Sequence, residues 1–161
     1  MNGYDIIAEA FIDNSPDVVW KALVNELNGG RQWWVPHNTF EPGAVPPEQV
    51  GGETEVTVHT KGVDKGGMKL KFTQKTRAVE PGKRLTADYT DGVFRGVTEF
   101  TVDPIDGGRR TRIAMLFQAE PQGKLKLIAR LADVGSQHAT ATQAAFANLQ
   151  AIIGTGVGSQ R

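Results

Sequence analysis

Residues 124–153 read KLKLIARLADVGSQHATATQAAFANLQAII, a run with no proline. Leu127, Leu131, Val134, His138, Ala141 or Thr142, Ala145, Leu149 and Ile152 recur in it at steps of three and four, the spacing of one helix face. A polar linker, Glu120-Pro121-Gln122-Gly123, precedes it, and everything from Tyr4 to Ala119 reads instead as short alternating strands. One long helix after a meander of strands buries its stripe by lying across the concave face of a curved antiparallel sheet. Such a grip leaves space between helix and sheet. A cavity there is the expected seat of function.

Working back from the helix, five segments alternate β-branched or aromatic residues with polar ones: Glu53 to Thr60, Met68 to Val79, Arg84 to Tyr89, Phe94 to Val102 and Thr111 to Ala119. The gaps hold turn chemistry, such as Glu80-Pro81-Gly82-Lys83 and Thr90-Asp91-Gly92, and are short enough for antiparallel hairpins. Tyr4 to Ile12 is a first strand. Ser15-Pro16 then starts a short helix whose apolar face is Val18, Val19, Ala22 and Leu23, and Asn28-Gly29-Gly30 ends it. Residues 31–49 carry Trp33, Trp34 and Phe40 among four prolines and read as a loop with at most one short strand, at Asn38 to Glu41. The predicted architecture is α+β: a curved seven-stranded antiparallel sheet around a long C-terminal helix, with two short helices between strands 1 and 2. Residues 1–153 form one domain in this reading, and the glycine-rich 154–161 a flexible tail.

At 161 residues the chain can support one sizeable core, since a domain of this length buries about 70% of its unfolded surface. The 18 basic residues cancel the 18 acidic ones, so no overall field favours nucleic acid. There is no cysteine, which excludes disulfides, thiolate metal sites and a cysteine nucleophile, and the three histidines show no ligand spacing, so no metal or other cofactor is expected. Neither a signal-peptide pattern nor a membrane-length apolar run occurs, and the expected location is the cytoplasm without integral membrane contact. The expected partner is a small hydrophobic molecule; self-association as a homodimer is left open.

IDNSPDVVWKAL (12–23) sets an apolar residue, a turn, a proline and a tryptophan in that order, EPGKRLTADY (80–89) leads a turn into a strand, and GKLKLIARLADVGSQHATATQAAFANLQAII (123–153) ends its helix with a late Asn-Leu-Gln. These three passages resemble the passage from strand one into helix one, the turn into strand five and the closing helix of the START-like (SRPBCC) superfamily, whose helix-grip fold is shared by the birch-pollen allergen, lipid-transfer START domains and bacterial polyketide cyclase or dehydrase proteins. The resemblance implies the helix-grip fold and a pocket for an apolar, lipid- or polyketide-like molecule. No motif carries a catalytic residue of the family's cyclases onto this chain.

His138 lies on the apolar stripe of the last helix. It reads either as a group that orients or protonates a bound molecule or as an interior histidine satisfied by a neighbouring hydroxyl or carbonyl. Tyr89 and Gln74 stand in phase with apolar strand neighbours and read as polar fixtures of an apolar chamber or as outward-facing residues. His138 and Tyr89 are the candidate acids or bases if the protein is an enzyme. Phe72, Phe94, Phe100, Met115 and Phe117 are the expected sheet walls, and Leu131 and Val134 the helix wall. Trp33 and Trp34 read as a lid or wall at the cavity mouth, with His37 beside them, or as a plug of the open end. Glu53 and Glu55 share a strand face with Thr57 and His59, which reads as solvated. Three functions remain: a small-molecule binder, a cofactor-independent polyketide cyclase or dehydrase type of enzyme, or a chaperone-activator-like interaction module with a filled core.

Overall fold

The computed structural model describes residues 3–123, 125 and 134–154. Seven strands form one antiparallel sheet: β1 (Tyr4–Ile12), β2 (Asn38–Pro42), β3 (Glu53–His59), β4 (Lys69–Glu80), β5 (Arg84–Gly92), β6 (Phe94–Ile105) and β7 (Arg110–Pro121). The spatial order is β1-β7-β6-β5-β4-β3-β2, so every neighbour except the β1–β7 pair is also a neighbour in sequence. Helix α1 (Pro16–Leu27) links β1 to β2, and α2 (Val134–Ile153) follows β7.

The link between β1 and β2 holds one helix among the described residues, where the sequence predicts two. Pro16 opens α1, Gly29 at φ +93° ends it, and residues 31–37 turn back toward β2 instead of starting another helix. Glu26 anchors that turn. It lies fully buried on α1, and its carboxylate accepts the backbone N–H groups of Gln32 (2.8 Å), Trp33 (3.1 Å) and Trp34 (2.7 Å). That carboxylate holds residues 32–34 in the turn that leads into β2.

The sheet curls where its register breaks. β4 carries irregularities between Thr73 and Gln74 and between Thr76 and Ala78 in its pairing with β5, and such bulges bend a strand and increase its twist. Gly96 adopts φ +151°, and a Cβ there would stand 1.9 Å from the Gln118 carbonyl oxygen, so only glycine lets β6 approach β7 this closely. The concave face carries the core: Leu85, Phe100, Val102, Ile113 and Phe117 are essentially inaccessible.

Helix α2 seals that face, on a stripe displaced from the predicted one at its end. Thr142, Ala145, Phe146 and Leu149 are buried, whereas Ile152 is 49% exposed. The motif Asn148-Leu149-Gln150 locks the helix in place. Asn148 Nδ2 donates to the carbonyls of Trp33 (3.1 Å) and Val35 (3.4 Å). Gln150 accepts the Asp13 N–H and donates to its carboxylate, both at 2.9 Å. The expected tail, beyond Gly154, lies outside the described residues.

Candidate ligand cavity

A cavity of about 320 Å³ lies between the first turns of α2 and the β2–β4 end of the sheet. β2 and the turn before it contribute Asn38 and His37, and β3 with its continuation contributes Val58, His59 and Thr60. Leu70 and Phe72 come from β4 and Phe94 from β6. The helix supplies Ser136, Gln137, His138, Thr140 and Ala141. Register explains the sheet wall, because Asn38 pairs with Val58 and Val58 with Leu70, which sets three inward side chains in a row across three strands.

Behind the wall runs a chain of aromatic rings. Phe72 meets Tyr89 edge-on at 5.0 Å and Phe94 at 5.1 Å, and Phe94 meets Phe117 at 5.3 Å. The His138 ring stacks on Phe117 with centroids 3.8 Å apart and planes 21° from parallel. Each such pair contributes about 0.5–1.5 kcal/mol beyond its buried area, so this wall is stiff. Thr142 Oγ1 donates to the His138 carbonyl (2.9 Å) and stands 3.4 Å from Nε2.

Electrostatically the site favours neutral groups. His138 is half-buried as a residue, but its ring lies between Phe117 and the cavity, and loss of hydration lowers its pKa to about 4. Burial likewise pushes the Tyr89 hydroxyl well above its ordinary value, opposed in small part by a hydrogen bond with Thr98. His59 is also lowered, first by burial and then by Lys69 and Arg31. Its ring accepts or donates at Thr39 Oγ1 (2.9 Å), on the strand face opposite Asn38 and Val58. That corner corrects the expected solvated face: Glu53 and Glu55 are exposed, but Thr57 and His59 are covered. Among the described residues, no group of three His, Cys, Asp or Glu side chains converges where a metal ion could sit.

Of the predicted ligand contacts, the structure brings Phe72, Phe94 and His138 to the cavity surface. Phe117 and Tyr89 stand behind it. Trp33 and Trp34, each 1% exposed, instead pack with Phe40, Phe100 and Phe146 in a separate aromatic cluster beneath the two helices. Met115 and Gln74 are interior residues away from the lining, and Gln74 Nε2 has no partner there. Leu131 and the side chain of Val134 lie outside the described residues. The reading from sequence omitted Asn38, Val58 and Leu70; the in-phase alternation of Val58, Leu70 and Phe72 on paired strands was the available signal.

A family model described as polyketide cyclase / dehydrase and lipid transport matches residues 6–153. The chain belongs to this family. Solved structures of similar fold extend across nearly the whole domain. Protein TTHA0849 from Thermus thermophilus superposes with a TM-score of 0.70 at 17% identity, over 93% of this chain and 97% of its own. Mll3558 from Rhizobium loti gives 0.67 at 18%, over 92% and 96%. Major latex-like protein 151 from Panax ginseng gives 0.63 at only 9%, over 95% and 99%. A search of curated proteins finds none that matches the sequence. At such identities the likeness to these structures shows the helix-grip fold alone. Among the described residues, no helix is long and apolar enough to cross a membrane.

Proposed function

We propose that this member of the polyketide cyclase / dehydrase and lipid transport family binds a small hydrophobic or aromatic molecule between α2 and the β2–β4 end of its sheet. The supporting observation is the cavity of about 320 Å³, at the lower end of the roughly 300–1,000 Å³ usual for ligand sites. Filled to a protein-like density of about 0.74, it accommodates about 240 Å³ of ligand, which favours a compact two- or three-ring molecule over an extended acyl chain. Affinity arises from apolar area removed from water over Val58, Leu70, Phe72 and Phe94, at about 25 cal/mol per Å² before the costs of association. The same reading makes the protein cytoplasmic, a single domain over residues 1–153, with a small molecule and not nucleic acid as its partner.

A space of this size argues against the filled-core interaction module. The cyclase type of enzyme draws on His138 at the cavity surface, but a pKa near 4 leaves a neutral imidazole that is a weak base at pH 7 and no acid. Tyr89, behind the wall and pushed upward, is a poor proton donor. Binding without turnover is therefore the reading supported best. Denaturing mass spectrometry of protein purified from its native host tests it: a single ring-bearing compound recovered near one per chain is expected. Recovery of none, together with failure of compact aromatic probes to bind, overturns it.

A further inference from the structure

Asn38 is a polar side chain on the cavity wall whose carbonyl oxygen has no partner. It is 6% exposed, and its Oδ1 is buried without a partner. No hydrogen bond from its side chain to any described residue occurs. Its backbone is well held, since the N–H donates to the Trp34 carbonyl (3.0 Å) and the residue pairs with Val58 in the β2–β3 ladder. A fixed backbone therefore places at the cavity wall a carboxamide whose Oδ1 is closed off without a partner and reaches the cavity by turning about χ2. An unpaired buried amide costs about 1–3 kcal/mol, a penalty that an apolar residue of the same shape would avoid. The other side chains in its row, Val58 and Leu70, are apolar, so Asn38 is the polar group of that part of the sheet wall.

The chemistry of that group follows from what faces it. A carboxamide offers one donor and one acceptor side by side, which a hydroxyl or an enol answers by accepting and donating together. No lysine, arginine, aspartate or glutamate lines the cavity among the described residues, so an ammonium head finds no countercharge there, and burial holds two of the three lining histidines, His59 and His138, toward the neutral form that a carboxylate cannot pair with. Phe72 and Phe94 supply flat surface for a ring.

We infer that Asn38 is the ligand-orienting residue of this cavity, and that the ligand is an uncharged aromatic compound whose hydroxyl or enol group pairs with the Asn38 carboxamide. This deepens the binding reading above and rests on it.

The test compares naphthalene, 2-naphthol and 2-naphthoate as probes of wild-type protein and of Asn38→Leu, by isothermal titration together with thermal unfolding. In wild type, 2-naphthol binds about three- to tenfold more tightly than naphthalene, the net value of one buried hydrogen bond, and 2-naphthoate binds more weakly than 2-naphthol. In Asn38→Leu the ratio of naphthol to naphthalene affinity falls to about one, and the unfolding temperature is unchanged or raised. Asn38→Ala provides the same comparison if the leucine variant does not fold. A naphthol advantage that survives in the variants, or a wild-type preference for 2-naphthoate, overturns the assignment of Asn38 while leaving the cavity's binding role intact. Failure of all three probes to bind wild-type protein overturns both.

Discussion

Replacing Glu26 by glutamine tests the link between the buried carboxylate and the shape of the β1–β2 connection. Oε1 accepts one backbone N–H, from Gln32, and Oε2 accepts two, from Trp33 and Trp34. A glutamine keeps the larger share by placing its amide oxygen where Oε2 was, which turns its NH2 group toward the Gln32 N–H. One charge-assisted bond is lost, two are weakened to neutral ones, and a donor faces a donor at a buried site. Hydrogen bonds to charged groups are worth about 1.5–3 kcal/mol and neutral ones about 1, so Glu26→Gln should cost about 2–4 kcal/mol. For a domain of this length that is a fall of about 5–15 °C in unfolding temperature. Glu26→Ala, which strands three N–H groups, should cost more. Differential scanning calorimetry with urea titration measures both. A Glu26→Gln variant within about 0.5 kcal/mol of wild type would refute the argument that this carboxylate holds the turn.

His138 makes stability depend on pH. Its folded pKa, about 4, lies below the ordinary 6.5, so the unfolded chain takes up a proton that the folded chain refuses. The contribution is fully present above about pH 6.5, is lost as pH falls toward 4, and is flat below; the ceiling is about 3 kcal/mol, and a half-buried ring able to swing toward the cavity should show about 1–2. Urea unfolding at pH 7.5 and 4.5 should show a smaller difference in His138→Phe than in wild type, and equal differences would contradict the assignment. Gly96→Ala should fail to fold or lose more than about 3 kcal/mol, because the new Cβ meets backbone at 1.9 Å; soluble protein with a near-native unfolding temperature would count against the described β6–β7 approach. Asn148→Leu should cost about 1–2 kcal/mol by freeing the Trp33 and Val35 carbonyls, with faster amide exchange confined to residues 31–38, and uniform exchange would show that the helix does not hold this loop.

Six of the seven strands were legible because each announces itself twice, by alternation within and by turn residues at its ends, whereas β2 read only as at most one short strand in a proline-rich loop. Gly82 in the β4–β5 turn and Gly92 at the β5–β6 bend both take a positive φ, in the two turns that the sequence placed there. The helix stripe was legible to within one position: Ala145 and Leu149 are buried as expected, but Phe146 takes the inward place and Ile152 drifts outward, since 3.6 residues per turn rotate a three-four pattern over five turns. Glu26 could not be read, because an acidic residue on an amphipathic helix ordinarily faces water and only the turn at 32–34 gives it partners. The tryptophans were misleading for a related reason. Their proline-rich surroundings suggest a mouth, yet Asn148 and Glu26 draw that segment inward from two sides. Asn38 escaped notice because a lone polar residue at the start of an edge strand carries no periodic signal.

Titration with N-phenyl-1-naphthylamine, an uncharged three-ring fluorophore, measures the cavity's capacity most directly when wild type is set beside Ala141→Trp. Ala141 lines the cavity from α2, and an indole there occupies the space the probe needs. Wild-type protein should give a saturable rise in emission with one site per chain, and the variant should lose it while keeping its fold by circular dichroism. Emission that never saturates, or that saturates equally in Ala141→Trp, would mean that no apolar molecule binds between this helix and this sheet.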